Sequence, residues 1–145
     1  MSKARAGWLA ELAHADTATL ETAWLGLRPL PAVEHLRPAE HGLAMVRGRT
    51  GGTGRRFNLG EMTVSRCSVR IGDHVGHGYV AGRDRRKAEL VASFDALLQD
   101  DARQDVLLAT LISPLAAARA AQAAAVARRA AATRVEFFTL VRGDE

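Results

Sequence analysis

Cysteine is nearly missing from this chain: Cys67 is the single one in 145 residues. One thiol makes neither an intrachain disulfide nor a zinc framework, so a fold without covalent staples in a reducing, cytoplasmic compartment is expected. Aromatic residues are scarce as well, at 5%. Much of the 48% hydrophobic content is alanine, and a methyl group buries little area, so the core is thin per residue and burial against other chains is anticipated. The stretch Met1-Ser2-Lys3-Ala4-Arg5-Ala6-Gly7-Trp8 lacks the apolar core of a signal peptide. No run reads as a membrane span, because the alanine-rich segment 116–132 is interrupted by Arg119, Gln122, Arg128 and Arg129. Charge of one sign is not strongly dominant either. A net charge of +4 with a pI near 10.2 admits nucleic acid, anionic metabolites or acidic subunits as partners and selects none of them.

What is present reads as one α+β domain over residues 1–145. Trp8, Leu9, Leu12 and Ala13 mark a short first helix over 3–14. Asp16 and Thr17 offer an N-cap to a second, with its stripe at Leu20, Trp24, Leu25 and Leu27, ended by Gly26 and Pro29. A helical hairpin therefore opens the fold. An antiparallel meander follows: Val33 to Arg37, a turn at Glu40-His41-Gly42, Leu43 to Arg49, then Phe57 to Leu59 and Glu61 to Ile71, a turn at Gly72-Asp73-His74, and Val75 to Ala81. The apolar period slips between Val64 and Cys67, which predicts a bulge there. Asp84 is suited to cap a helix running to about Gln99, and Asp100-Asp101 to cap another. Ser113-Pro114 is expected to interrupt it, with Pro114 in the first turn of a long alanine-rich helix from Leu115 to about Val141.

The run Arg49-Thr50-Gly51-Gly52-Thr53-Gly54-Arg55-Arg56-Phe57 stands out. Glycine permits positive φ and close backbone approach, and arginine presents a fork of donors matched to phosphate and phosphonate oxygens. The run is not a P-loop, since it lacks the Gly-Lys-Ser/Thr ending and is followed by a strand; its spacing is not that of a dinucleotide fingerprint. Two readings remain open: an anion cradle, or a tight glycine hairpin loop with solvated arginines. Arg83, Arg85, Arg86 and Lys87 crowd a helix start, where the macrodipole disfavours cations. Either a bound anion or acidic partner offsets this, or Asp84 and Glu89 compensate.

Elsewhere the chemistry is sparse. His74 and His77 sit three apart on a strand and point to opposite faces. His35 and His41 could meet across a hairpin, but no metal site is expected. Cys67, in mid-strand, reads as a buried inert thiol. No nucleophile, base and acid share a supporting context, so no catalytic residue is assigned. Near the C-terminus Phe137 and Phe138, with Arg142, are candidates for docking on a partner chain.

The glycine run, Thr63 to Arg70 with Arg66, Gly82-Arg83-Asp84 with Ala88-Glu89 and Asp95-Ala96-Leu97, and the tail Arg134-Val135-Glu136-Phe137-Phe138-Thr139-Leu140-Val141-Arg142-Gly143-Asp144 together carry a resemblance. The chain is similar to the PhnG family, the G subunit of the bacterial phosphonate carbon–phosphorus lyase system. That resemblance implies a non-autonomous subunit assembling with I, H and J subunits, and acting functionally with an ATP-binding L subunit. The complex, a transferase of the α-D-ribose 1-methylphosphonate 5-triphosphate synthase type, uses ATP and an alkylphosphonate and releases adenine. The resemblance implies no cofactor held by this chain and no catalytic residue of its own. Arg49, Gly51, Gly52, Thr53, Gly54, Arg55, Arg56, Arg83 and Asp84 are then candidates for substrate or interface contact. A small anion- or nucleotide-binding module built on Gly51–Gly54 and, from the pI, a nucleic-acid binder are the competing readings, although no nucleic-acid partner is expected.

Overall fold

The computed structural model describes residues 3–133. In chain order it contains α1 (Lys3–His14), α2 (Thr17–Gly26), β1 (Glu34–Arg49), β2 (Arg56–Ile71), β3 (His74–Ala81), α3 (Arg85–Leu97), α4 (Asp101–Leu107) and α5 (Ser113–Ala132). The architecture is α+β, with the helical hairpin, antiparallel meander and C-terminal helices in the expected order. Asp16, Asp84 and Asp100 each cap a helix, accepting from Thr19 N (2.8 Å), Lys87 N (2.8 Å) and Ala102 N (3.0 Å). A short polar oxygen satisfies an end-of-helix N–H at each site.

Small residues organise the core. Ala88, Ala92 and Ala96 lie four apart and so share one face of α3. That face rests on Gly76 and Gly78 of β3. A Cβ added at Gly76 would stand 1.9 Å from the Ala92 carbonyl oxygen, and one at Gly78 would stand 1.9 Å from that of Ala88. Only glycine permits this helix-on-strand contact. Residues 90–98 of the α3 region are all buried. Trp8 and Leu12 of α1 and Leu20 and Trp24 of α2 complete the same core. Trp24 meets Phe94 edge-on at 5.8 Å.

The sheet order is β1-β2-β3, both pairs antiparallel. One expected turn and one expected break between strand segments are absent. Glu40-His41-Gly42 lies within a continuous 16-residue β1, and Phe57–Leu59 joins Glu61–Ile71 in an equally long β2. Pro38 is tolerated because β1 is an edge strand, and the β1–β2 register shifts on either side of Arg37. The bulge expected between Val64 and Cys67 is not in β2, whose register with β3 runs unbroken from Val64 to Ile71. The apolar slip instead reflects Val64 and Ser65 both being buried, on opposite faces.

Pro114 does not interrupt the C-terminal helices. Leu108–Ile112 forms a π turn linking α4 to α5, and Pro114 sits in the first turn of α5. The wider turn accommodates the missing N–H and the ring that would otherwise crowd the preceding turn. The resulting helical run, Asp101–Ala132, is 32 residues and is long and apolar enough to cross a membrane by length and composition, contrary to the expectation that no stretch is. Its apolar character is mostly alanine. None of α5 is buried. The predicted extension of α5 to Val141 lies outside the described residues, as do Phe137, Phe138 and Arg142.

Candidate functional site

The inner half of β2, Val64–Ile71, pairs with β3. Its outer half pairs with β1 alone, from Gly42↔Val64 out to Arg49↔Arg56. A two-stranded arm of about eight residues per strand therefore extends some 25 Å beyond the body, at ~3.3 Å per residue. The glycine run closes its tip.

Tip geometry accounts for the glycines. Gly51 and Gly52 have φ of 60° and 82°, and a Cβ on Gly54 would lie 2.5 Å from the Thr50 carbonyl oxygen. That oxygen accepts from Gly54 N at 2.8 Å, so the Gly54 donor is spent inside the turn. The tip is thus a self-closed turn with exposed arginines. Arg49 makes one long contact, to the Gly54 carbonyl at 3.4 Å, and Arg55 and Arg56 make none among the described residues. Thr53 is exposed as well.

The other predicted cationic cluster lies elsewhere. Arg83 and Asp84 follow β3, whose last residue, Ala81, pairs with Val64 at the root of the arm. The two groups of candidate residues do not converge. Burial opposes ionisation of Asp84, but hydrogen bonds from the Thr17 hydroxyl and Lys87 N outweigh it and hold the carboxyl below its usual range. Arg86 is neither free nor an anion ligand. It forks onto Glu21 of α2 with both contacts at 2.8 Å and reaches Glu89 at 2.9 Å. These bonds lower the Glu21 pKa and raise that of Arg86. The helix-start charge is therefore compensated within the chain, by Glu21 in addition to Glu89. Arg83 and Arg85 remain solvent-accessible.

Sequence reasoning missed one polar cluster. Asp95 is fully buried and accepts four hydrogen bonds: from Arg5 Nε (3.0 Å) and Nη2 (2.6 Å), Trp8 Nε1 (3.0 Å) and His77 N (2.9 Å). The signal was a lone carboxylate within the apolar run 90–98. With every partner fixed, Asp95 ties α1 and β3 to α3.

The histidines do not assemble a site. His35 and His41 both lie on β1 and so do not meet across a hairpin. His35 pairs with Glu89 at 2.8 Å. His41 Nδ1 is 3.0 Å from Ser65 Oγ, whose own proton goes to the Gly82 carbonyl. His77 Nδ1 is 3.0 Å from Ser68 Oγ. Neither pair has a carboxylate behind its imidazole among the described residues, so neither has the third group of a nucleophilic relay. Among those residues no three metal-ligating side chains converge. Cys67 is buried with its sulfur against the Arg37 carbonyl, and desolvation raises its thiol to about 11, which keeps it protonated and unreactive.

What remains functional in appearance is surface. Arm residues Leu43, Met45, Phe57, Leu59 and Met62 are exposed, and so is most of α5 beyond Leu115, which packs on the core, and Arg119, which bonds Glu11 of α1 at 2.9 Å. Comparison with known proteins places the chain in a family. Residues 3–143 match the family described as phosphonate metabolism protein PhnG. A curated relative from Rhizobium meliloti (strain 1021), alpha-D-ribose 1-methylphosphonate 5-triphosphate synthase subunit PhnG, is 46% identical over 135 residues, covering 92% of this chain and 86% of that protein. With the match spanning arm, body and α5 alike, the chain belongs to the PhnG family of phosphonate metabolism proteins.

Proposed function

We propose that this chain is a non-autonomous subunit of a phosphonate-processing synthase, contributing surface and cationic side chains to a site whose reacting groups lie on other subunits. The observation that carries this reading is the uncovered apolar arm, with the exposed later turns of α5, on a chain whose own described polar side chains form no nucleophile–base–acid set. The relative's printed name gives the product, a ribose 1-methylphosphonate 5-triphosphate; ATP and an alkylphosphonate are its proposed sources. An alkylphosphonate oxygen attacks C1′ of the ATP ribose, the C1′–N9 bond breaks, and adenine leaves with the electron pair and takes up a proton. The ribose keeps its 5′-triphosphate and gains the phosphonate ester. Both substrates are polyanions, so arginines close to the site would hold them and screen their mutual repulsion.

In this reading the partners are the I, H and J subunits, with an ATP-binding L subunit acting functionally. The chain itself binds no cofactor, works in the cytoplasm and has no activity alone. The test is co-expression of the tagged chain with the I, H and J proteins of the same source, followed by size-exclusion chromatography and mass analysis. A stoichiometric complex that releases adenine from ATP and methylphosphonate when L is added, while the isolated chain releases none, is the expected result. A chain that stays monomeric beside those proteins, or that releases adenine unaided, refutes the proposal.

A further inference from the structure

The β1–β2 arm has two chemically different faces, and the pairing register says which residues share each. Directly opposed residues in an antiparallel pair point to the same side. One face therefore carries Leu43, Met45, Arg47 and Arg49 of β1 beside Glu61, Asn58 and Arg56 of β2. The other carries Ala44, Val46 and Gly48 beside Met62 and Phe57. Leu59 belongs to this second face too, since its Cδ1 would stand 2.9 Å from a Cβ placed on Gly48. The second face holds no charge at all: a strip of small residues flanks a ridge of Phe57 (46% exposed), Leu59 (65%) and Met62 (38%).

An isolated two-stranded ribbon is marginally stable in water and needs a third layer over an apolar face. Neither β3 nor any described helix supplies it beyond Val64. Charge indicates what does. From Leu43 to Thr63 the arm holds four arginines against the single Glu61, a net +3 within a chain of net +4. Two copies of this arm would repel each other, whereas a carboxylate-bearing surface would attract it. A nucleic acid would satisfy the arginines but would leave the uncharged ridge in water.

We infer that the arm is a docking element that a different protein grips on both faces, an apolar cleft taking Phe57, Leu59 and Met62 on one side and carboxylates meeting Arg47, Arg49 and Arg56 on the other. This deepens the subunit reading above and rests on it, by naming the surface and the chemistry of what covers it. The ridge supplies the buried contact and the arginine face sets orientation and salt dependence.

The test uses the full chain co-expressed with the I, H and J proteins, comparing wild type with Phe57→Ser/Leu59→Ser and with Arg49→Glu/Arg56→Glu. Melting of each isolated variant reports whether the body is still folded. The expected result is at least tenfold weaker association for the first variant with unchanged melting. The second is expected to be weaker at low salt and to approach wild type at high salt. If wild type forms the complex and both folded variants do so equally well, the arm inference is overturned while the subunit reading stands. If wild type forms no complex with these proteins, the subunit reading itself fails. Arm-dependent self-association, or displacement of the partner proteins by RNA, likewise overturns the inference.

Discussion

The two halves of β2 make an instructive pair. From Val64 to Ile71 the strand lies between β1 and β3, with α3 against one face, and Val64, Ser65, Cys67, Val69 and Ile71 are buried. From Arg56 to Thr63 the same strand carries equally bulky residues, yet Phe57, Leu59 and Met62 are exposed. The outer half is extended even though it holds the poor strand formers Asn58, Gly60 and Glu61; its exposure follows from the absence of a covering element of the chain. The body is held by contacts that tolerate no change in volume. The arm carries apolar surface that gains nothing from this chain alone, the division of labour that the proposed subunit role requires.

The sharpest way to break that comparison is in the body. At Gly78 any side chain would begin 1.9 Å from the Ala88 carbonyl oxygen, and α3, buried in a core shared with α1 and α2, has little space to withdraw. For Gly78→Val a loss of about 3 kcal/mol or more is expected, enough to abolish the cooperative thermal transition. Next comes Asp95→Ala, which strands the Trp8 and His77 N–H donors and the Arg5 guanidinium. Urea denaturation should show a loss of about 3 kcal/mol, in the range for removing one member of a buried ionic cluster.

On the arm the same kind of change should scarcely register. Leu59→Ser in the isolated chain is expected to alter unfolding free energy by less than about 0.5 kcal/mol by urea titration. A fall comparable to that of the body variants would mean that the arm folds onto this chain, and the contrast between the halves would collapse. The smallest effect is at the base of the arm. Asp84 has a lowered folded-state pKa, so its contribution is present above its ordinary value of 3.8 and disappears as pH falls through the folded value. Asp84→Asn keeps a capping oxygen but no charge. Its melting temperature should therefore lie closer to wild type at about pH 3 than at about pH 7.

Several features were legible in the sequence because they are local. Asp16, Asp84 and Asp100 could be read as caps, since capping involves a side chain and an N–H two or three residues on. The hairpin at Gly72-Asp73 and the self-closed turn at Gly51–Gly54 follow from glycine's access to positive φ at Gly72, Gly51 and Gly52. Less legible were the continuities. Pro38 and Gly42 look like punctuation for β1, and Pro114 for the last helices. An edge position and a π turn absorbed them, and neither is visible in the order of residues alone. The Asp95 cluster joins positions 5, 8, 77 and 95, a separation that no window along the chain spans.

The sequence by itself determined the composition of each element, the caps that start the helices and the family to which the chain belongs, because these depend on neighbouring residues and on motifs kept in order. Only the tertiary structure decided that Ala88, Ala92 and Ala96 would rest on Gly76 and Gly78, and that Asp95 would be the tie between three elements. It alone decided that the glycine run would stand on an arm about 25 Å from the body, at ~3.3 Å per residue, rather than against Arg83 and Asp84. The physical reason is that burial is a property of pairs of elements. Propensity can mark residues as extended, but which half of a 16-residue strand is covered depends on where the third strand ends and the helix begins.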